Sequence, residues 1–257
     1  MMRFFDANLF YGTANNVDER PLSPCENIFD LEAAVKRAGV KGGLVRVLAS
    51  DISGAVFGNN LLREALRKIS VNLYGMYTLL PVYTHEIPEP RKLHEAMLEG
   101  KFGALRVAPA LHKYLPKPGI LSEYYEFAER NKIPVVFNAA CGITPGEVYD
   151  VMECFPKLTA VYSPTNEWPT DRYDRPFIAR YPNLRLDLSA MMSDQGIEGL
   201  VAEYGAERII FGSGFPEKYF GGCMMMVRHA DISDADKEAI AGGNLIGMIK
   251  EAGLWRS

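Results

Sequence analysis

The sequence predicts an α/β protein built as a single (β/α)8 barrel, a TIM barrel with an extra C-terminal helix. Two observations predict it. Short apolar runs of strand length alternate with amphipathic, helix-like stretches at intervals of roughly 30 residues, about the length of one βα unit. No linker, low-complexity tract or block of charge interrupts that rhythm, so residues 1–257 are expected to form one domain. Parallel strands with a helix after each favour closure into a barrel over an open doubly wound sheet.

The strand-like runs are Arg3–Leu9, Gly43–Leu48, Val71–Thr78, Gly103–Ala108, Pro134–Ala139, Thr159–Ser163, Leu184–Ser189 and Arg208–Ser213. In the last of them Ile209, Ile210 and Phe211 form a short apolar run, as a buried parallel strand does. Between them, Leu61, Leu62, Ala65, Leu66 and Ile69 share one helical face, with Arg63, Glu64, Arg67 and Lys68 opposite. Thr144-Pro145-Gly146-Glu147 carries a helix start, with a capping Thr, Pro at the first helical position and Glu at the third. Ser233-Asp234-Ala235-Asp236 opens a last helix that runs to about Ala252 and stops at Gly253. The eighth run, Ile209-Ile210-Phe211, is broken by Gly212–Pro216. Gly212-Ser213-Gly214 begins like a dinucleotide loop, but the segment ends in Glu217 and includes Pro216, which has no amide to offer a phosphate.

Composition excludes several classes of function. A net charge of −4 and an acidic pI near 5.7 give no attraction to phosphate backbones or anionic lipid, so no nucleic-acid or membrane partner is expected. No apolar stretch approaches the roughly 20 residues that span a bilayer, and the first residues lack the apolar core of a secretion signal, so the expected location is cytoplasmic. Cys25, Cys141, Cys154 and Cys223 lack zinc-site spacing and read as reduced thiols.

The motifs in their order resemble a known family. Phe5-Asp6-Ala7-Asn8-Leu9-Phe10-Tyr11-Gly12 looks like the first strand of the amidohydrolase-related (amidohydrolase 2) barrels, where the family pattern is Asp-Ala-His-x-His-x-Gly. Ala104–Val107 is similar to its fourth strand, Pro134–Ala139 to its fifth, Arg208–Pro216 to its eighth and Asp236–Ile249 to its closing helix. The resemblance implies hydrolysis or decarboxylation, commonly with a divalent metal held by strand-end His and Asp residues. This sequence departs from the pattern at each ligand position. Asn8 and Phe10 replace the paired histidines, Asn138 the fifth-strand histidine and Gly214 the eighth-strand aspartate, and the sixth strand has Pro164 or a neighbour instead of histidine. Neutral Asn, Phe and Gly cannot jointly polarise water, so neither a metal nor any other cofactor is expected.

What remains at the strand ends is polar. Asp6 shares a face with Asn8, and Arg46, Arg106, Asn138, Asp187, Ser189 and Ser213 fall near C-terminal strand ends, where barrel active sites assemble. Asp6 reads either as half of an ion pair with a neighbouring Arg or as a general base, with the arginines forking onto a substrate carboxylate. Past the sixth strand, Asn166-Glu167-Trp168 sets an acid beside an aromatic face; Glu167 is either a desolvated acid or base, or a solvated loop residue above a packed Trp. Cys141 precedes the capped helix at Thr144, whose amides would favour a thiolate, although a buried inert thiol fits as well. Among the four histidines only His85 and His112 follow strands. A relocated metal set, His85, Glu86, His112 and Asp187, is a weaker reading.

The expectation is a metal-independent hydrolase or lyase acting on a small, carboxylated molecule at the C-terminal mouth. Asp6, Glu167 and Asp187 are its catalytic candidates. Asn8, Arg46, Arg106, His112, Asn138, Cys141, Asn166, Trp168 and Ser213 are its binding candidates. The alternative is an inactive barrel kept as a ligand sensor or protein-binding scaffold, because fold persistence does not imply activity. The sequence leaves a homo-oligomer open.

Overall fold

A computed structural model describes residues 2–13, 25–165 and 171–256. Eight strands run in the order β1 (Phe5–Tyr11), β2 (Gly42–Val47), β3 (Asn72–Thr78), β4 (Phe102–Val107), β5 (Val135–Asn138), β6 (Ala160–Ser163), β7 (Leu184–Asp187) and β8 (Ile209–Ile210). Each pairs in parallel with the next in sequence. The ring is closed from the loop after β8. Ala7 N donates to Phe211 O at 2.9 Å, Phe10 N to Phe215 O at 3.1 Å, and Gly214 N to Asn8 O at 3.1 Å. The fold is a single (β/α)8 TIM barrel.

The helices are α1 (Ile28–Ala38), α2 (Ala49–Ile52), α3 (Ala55–Leu66), α4 (Pro90–Gly100), α5 (Pro109–His112), α6 (Ser122–Asn131), α7 (Pro145–Cys154), α8 (Asp171–Arg180), α9 (Gly196–Tyr204), α10 (Phe220–His229), α11 (Asp234–Glu238) and α12 (Asn244–Glu251). The start signals read from sequence hold. Thr144 and Glu147 form a reciprocal capping box on α7, and the Ser233 hydroxyl accepts from Asp236 N at the start of α11. The last helix is interrupted by a π turn over Ala239–Gly243, where Ile240 O accepts from Phe211 N at 3.0 Å. Asn244 fixes that turn by donating to Ala206 O and Ile209 O, each at 2.8 Å. On α3, Leu62, Ala65 and Leu66 are buried as expected, whereas Leu61 stays exposed.

The end of the barrel where β1 and β3 begin is sealed by the C-terminal segment. Trp255 stacks on Tyr74 with centroids 5.4 Å apart and meets Phe5 at 5.6 Å, and the Tyr74 hydroxyl donates to Arg256 O at 2.8 Å. The opposite end holds the buried polar side chains Asp6, Asn8, Arg46, Arg106, Asp187 and Ser213. The expected run Arg208–Ser213 contracts to two strand residues, with Arg208 in a 3-10 turn. Beyond β8, residues 211–215 serve β1 as a closing edge.

Candidate active site

The polar end divides into two halves, and a bulge in β1 sets up the first. Between the pairs Asp6–Gly43 and Leu9–Val45, β1 spends three residues against two of β2. Such an extra residue re-aims side chains locally. Here it turns the Asn8 amide nitrogen toward Asp6 Oδ1, at 2.9 Å, while the Asn8 side chain crosses to the end of β7. There Nδ2 donates to Asp187 Oδ2 and to Ser189 Oγ, both at 3.0 Å. Ser189 in turn donates its hydroxyl to Asp187 Oδ2 at 3.0 Å and its amide to Oδ1 at 2.9 Å. Asp6 Oδ1 takes a second amide, Ser213 N, at 3.0 Å. Asp6 Oδ2 is buried and meets no hydrogen bond of ordinary geometry, although the Ser213 hydroxyl lies near enough to act on the carboxyl.

Two carboxyls enclosed this way resist ionisation. Burial, reinforced by the charge of Asp187, pushes Asp6 up to about 7 against the opposing hydrogen bonds from Ser213 and Asn8. Burial also raises Asp187, opposed by Ser163, Ser189 and Asn8. Near neutrality Asp6 is therefore poised between acid and base. Cys223, which reaches Ser213 O at 3.7 Å, is pushed up to about 11 by burial and by both aspartates, so it remains a thiol. Gly212 makes the packing feasible: a Cβ there would stand 1.8 Å from Asp187 Oδ1.

The other half is built on β2, β4 and α2. Asp51 bridges two guanidinium groups, with Arg46 Nη1 at 2.8 Å from Oδ2 and Arg106 Nη1 at 2.7 Å from Oδ1. Arg106 also donates to Ser50 Oγ at 3.0 Å and to Cys141 Sγ at 3.2 Å. Arg46 lies over the Phe10 ring, 4.3 Å from its centroid, so the residue standing where the resemblance implied a histidine is a cation–π platform. Although burial acts to raise it, the Asp51 carboxyl is held below its ordinary value by Arg106 and Arg46. Burial and Arg106 lower His112, whose Nε2 is buried without a partner. Two guanidinium groups thus share one carboxylate in this half.

Asp6, Asn8, Asp187 and Ser213 come together in the acidic half, and Arg46, Arg106, His112 and Cys141 in the basic half. Neither arginine pairs with Asp6: backbone amides hold that carboxylate, and Asp51 takes both cations. Asn138 turns its Oδ1 back onto Ala140 N at 2.9 Å, capping its own turn. Asn166, Glu167 and Trp168 lie outside the described residues. His85 is exposed at φ 55 on the β3 side, away from Asp187 on β7. The relocated set is thus not assembled, and among the described residues no group of three or more His, Cys, Asp or Glu is arranged to hold a metal ion. Sequence reasoning passed over Asp51, Ser50 and Lys218. A charge one turn past a strand end was the available signal for Asp51.

Eight parallel βα units with buried polar side chains gathered at one end place the chain among the (β/α)8 barrels. The chain belongs to the amidohydrolase family (Amidohydro_2), whose profile matches residues 28–244. Solved structures share the fold at low identity. They include an uncharacterized TIM-barrel protein from Bordetella bronchiseptica, 19% identical over 88% of this chain and 83% of that one, with a TM-score of 0.66. The 2,6-dihydroxybenzoate decarboxylase from Rhizobium is 15% identical over 97% and 99%, with a TM-score of 0.72. The 5-carboxyvanillate decarboxylase from Novosphingobium aromaticivorans, solved with bound manganese, is 12% identical over 97% of each chain, with a TM-score of 0.74. No curated protein sequence matches the chain. Among the described residues no helix is long and apolar enough to cross a membrane.

Proposed function

We propose that this protein is a hydrolase or lyase that acts without a metal on a small carboxylated molecule in the barrel mouth. The observation that carries the reading is the pair of buried carboxyls, Asp6 and Asp187, joined through Asn8 and Ser189 and set opposite a cationic half. Asp6, near its midpoint at neutral pH, exchanges a proton with the reacting atom. Asp187 and Asn8 fix its surroundings, and the guanidinium groups of Arg46 and Arg106 draw the carboxylate. Glu167 is retained as a second proton-transfer candidate. Family membership supports an enzyme, and neighbours named as decarboxylases of dihydroxybenzoate and carboxyvanillate lend support to a carboxylated substrate.

Donor chemistry supports the metal-free part. Facing a carboxylate, Asn8 must present its amide nitrogen, which donates and cannot ligate. Phe10 has no donor atom, Asn138 Oδ1 is used by Ala140 N, and Gly214 has no side chain. These residues do not fit the metal that the family resemblance implied. A panel of aromatic and aliphatic carboxylic acids, followed by chromatography of products, tests the reading. Turnover that falls about 100-fold or more in Asp6→Asn, and survives chelator, is the expected result. Stoichiometric zinc or manganese in protein purified without chelator would overturn the metal-free part.

One observation favours the inactive scaffold instead: Asp51 already occupies both arginines. Ligand-induced thermal stabilisation without turnover across the panel would select that reading.

A further inference from the structure

Arg46 and Arg106 share the Asp51 carboxylate, whereas Lys218, a further cation at the mouth, pairs with no carboxylate among the described residues. We propose that Lys218 is a substrate-contacting residue, holding an anionic oxygen of the substrate beside Asp187; this rests on the carboxylated-substrate reading above. Its backbone amide donates to Gly214 O at 3.1 Å, which folds the loop after β8 back over itself. Gly214 sits at φ +70, and a Cβ there would stand 3.4 Å from Lys218 Cδ and 3.7 Å from Ser189 Cβ. The lysine stem therefore runs past the place where a side chain at 214 would begin, the position at which the resemblance implied an aspartate. The position that an aspartate holds in the family pattern is thus flanked by the stem of a cationic side chain.

The head group is anchored at the edge of the acidic half. Nζ donates to Ser189 O at 2.5 Å, and Ser189 Oγ is bonded to Asp187 Oδ2. Its charge reaches inward as well, opposing Asp6 and Asp187 at the Cys223 thiol. An ammonium carries three donors, and among the described residues the Ser189 carbonyl is the one acceptor that Lys218 meets and no carboxylate pairs with it. Lys218 is exposed, so the remaining donors are open to an incoming ligand.

Isothermal titration of benzoate and 2,6-dihydroxybenzoate into the wild-type chain, Lys218→Met and Lys218→Arg tests the assignment, with melting temperatures recorded alongside. Because the side chain is exposed, both variants are expected to melt with the wild type. Lys218→Met should bind the carboxylates about tenfold more weakly or worse, and Lys218→Arg should remain within about threefold of wild type. Wild-type affinity in Lys218→Met would overturn the role of Lys218 alone. Equal weakening in both variants would also overturn it, because the stem rather than the charge would then matter. A wild-type chain that binds neither acid would overturn this inference together with the carboxylated-substrate reading.

Discussion

Arg106 and Asp51 form a 2.7 Å ion pair inside the barrel mouth, with 2% and 11% of their side chains exposed. The other Asp51 oxygen is taken by Arg46 at 2.8 Å. A buried carboxylate shared by two guanidinium groups is costly to dismantle from one side, because the cations left behind have lost their solvent without keeping a partner. Asp51→Asn keeps the shape and removes the charge. It is expected to lower unfolding stability by about 3 kcal/mol, read from urea denaturation. A loss below about 0.5 kcal/mol would mean that other groups or water neutralise the arginines.

The raised Asp6 carboxyl links stability to pH. An unfolded Asp titrates near ~3.9, whereas Asp6 in the fold is pushed up to about 7 by burial. A folded value above the unfolded one means that the contribution is fully present below about pH 4 and is lost as pH rises through about 7. Its size is on the order of 4 kcal/mol at the shift given. Stability of the wild type should therefore fall between about pH 4 and pH 8, and Asp6→Asn should flatten most of that slope. Denaturant midpoints at several pH values check it. An unchanged slope in Asp6→Asn would assign the linkage to Asp187 or another group.

The barrel was legible because each βα unit repeats the same local signals, and local signals survive in sequence. Thr144 and Glu147 announce α7, and their capping box is found as expected. The mouth was only half legible. Strand ends gave Asp6, Asp187, Arg46 and Arg106 their neighbourhood, but not their partners. Pairing Asp6 with an arginine was reasonable by proximity along adjacent strands. The β1 bulge instead gave Asp6 backbone amides, and a four-residue helix brought Asp51 to the arginines. Neither a one-residue bulge nor a contact between Asp51 and Arg106, 55 positions apart, leaves a periodic trace.

Asn8 is the hinge of the acidic half, because its two amide protons satisfy Asp187 and Ser189 at 3.0 Å each. Asn8→Asp replaces a donor with an acceptor facing a buried carboxyl, so three carboxyls would crowd one enclosure. The new group would titrate high, for the same reasons as Asp6, and its penalty would grow as pH rises. A loss of about 3 kcal/mol at pH 8, clearly smaller at pH 5, is the expected outcome in paired denaturation curves. Equal losses at the two pH values would point to shape rather than charge.

Gly212 and Gly199 offer a test in which one substitution has opposite signs. Gly199 lies inside α9, and a Cβ there would meet nothing within 4 Å. Alanine loses less backbone freedom than glycine on entering a helix, so Gly199→Ala should stabilise by about 0.5–1 kcal/mol. Gly212 follows β8, and its Cβ would fall 1.8 Å from Asp187 Oδ1 and 2.6 Å from Cγ. No rotation of the added methyl relieves that contact, so Asp187 has to move. Moving it stretches the bond from Ser189 N at 2.9 Å and the bonds from Asn8 and Ser189 to Oδ2 at 3.0 Å. Overpacking of this kind costs about 1–3 kcal/mol, and the disturbed carboxyl adds to it. Gly212→Ala should therefore lose about 3 kcal/mol in urea denaturation and shift the pH dependence assigned to Asp6, since Asp187 is part of what raises it. A Gly212→Ala chain as stable as wild type would show that Asp187 has room to retreat, and that the two carboxyls are not held as one unit.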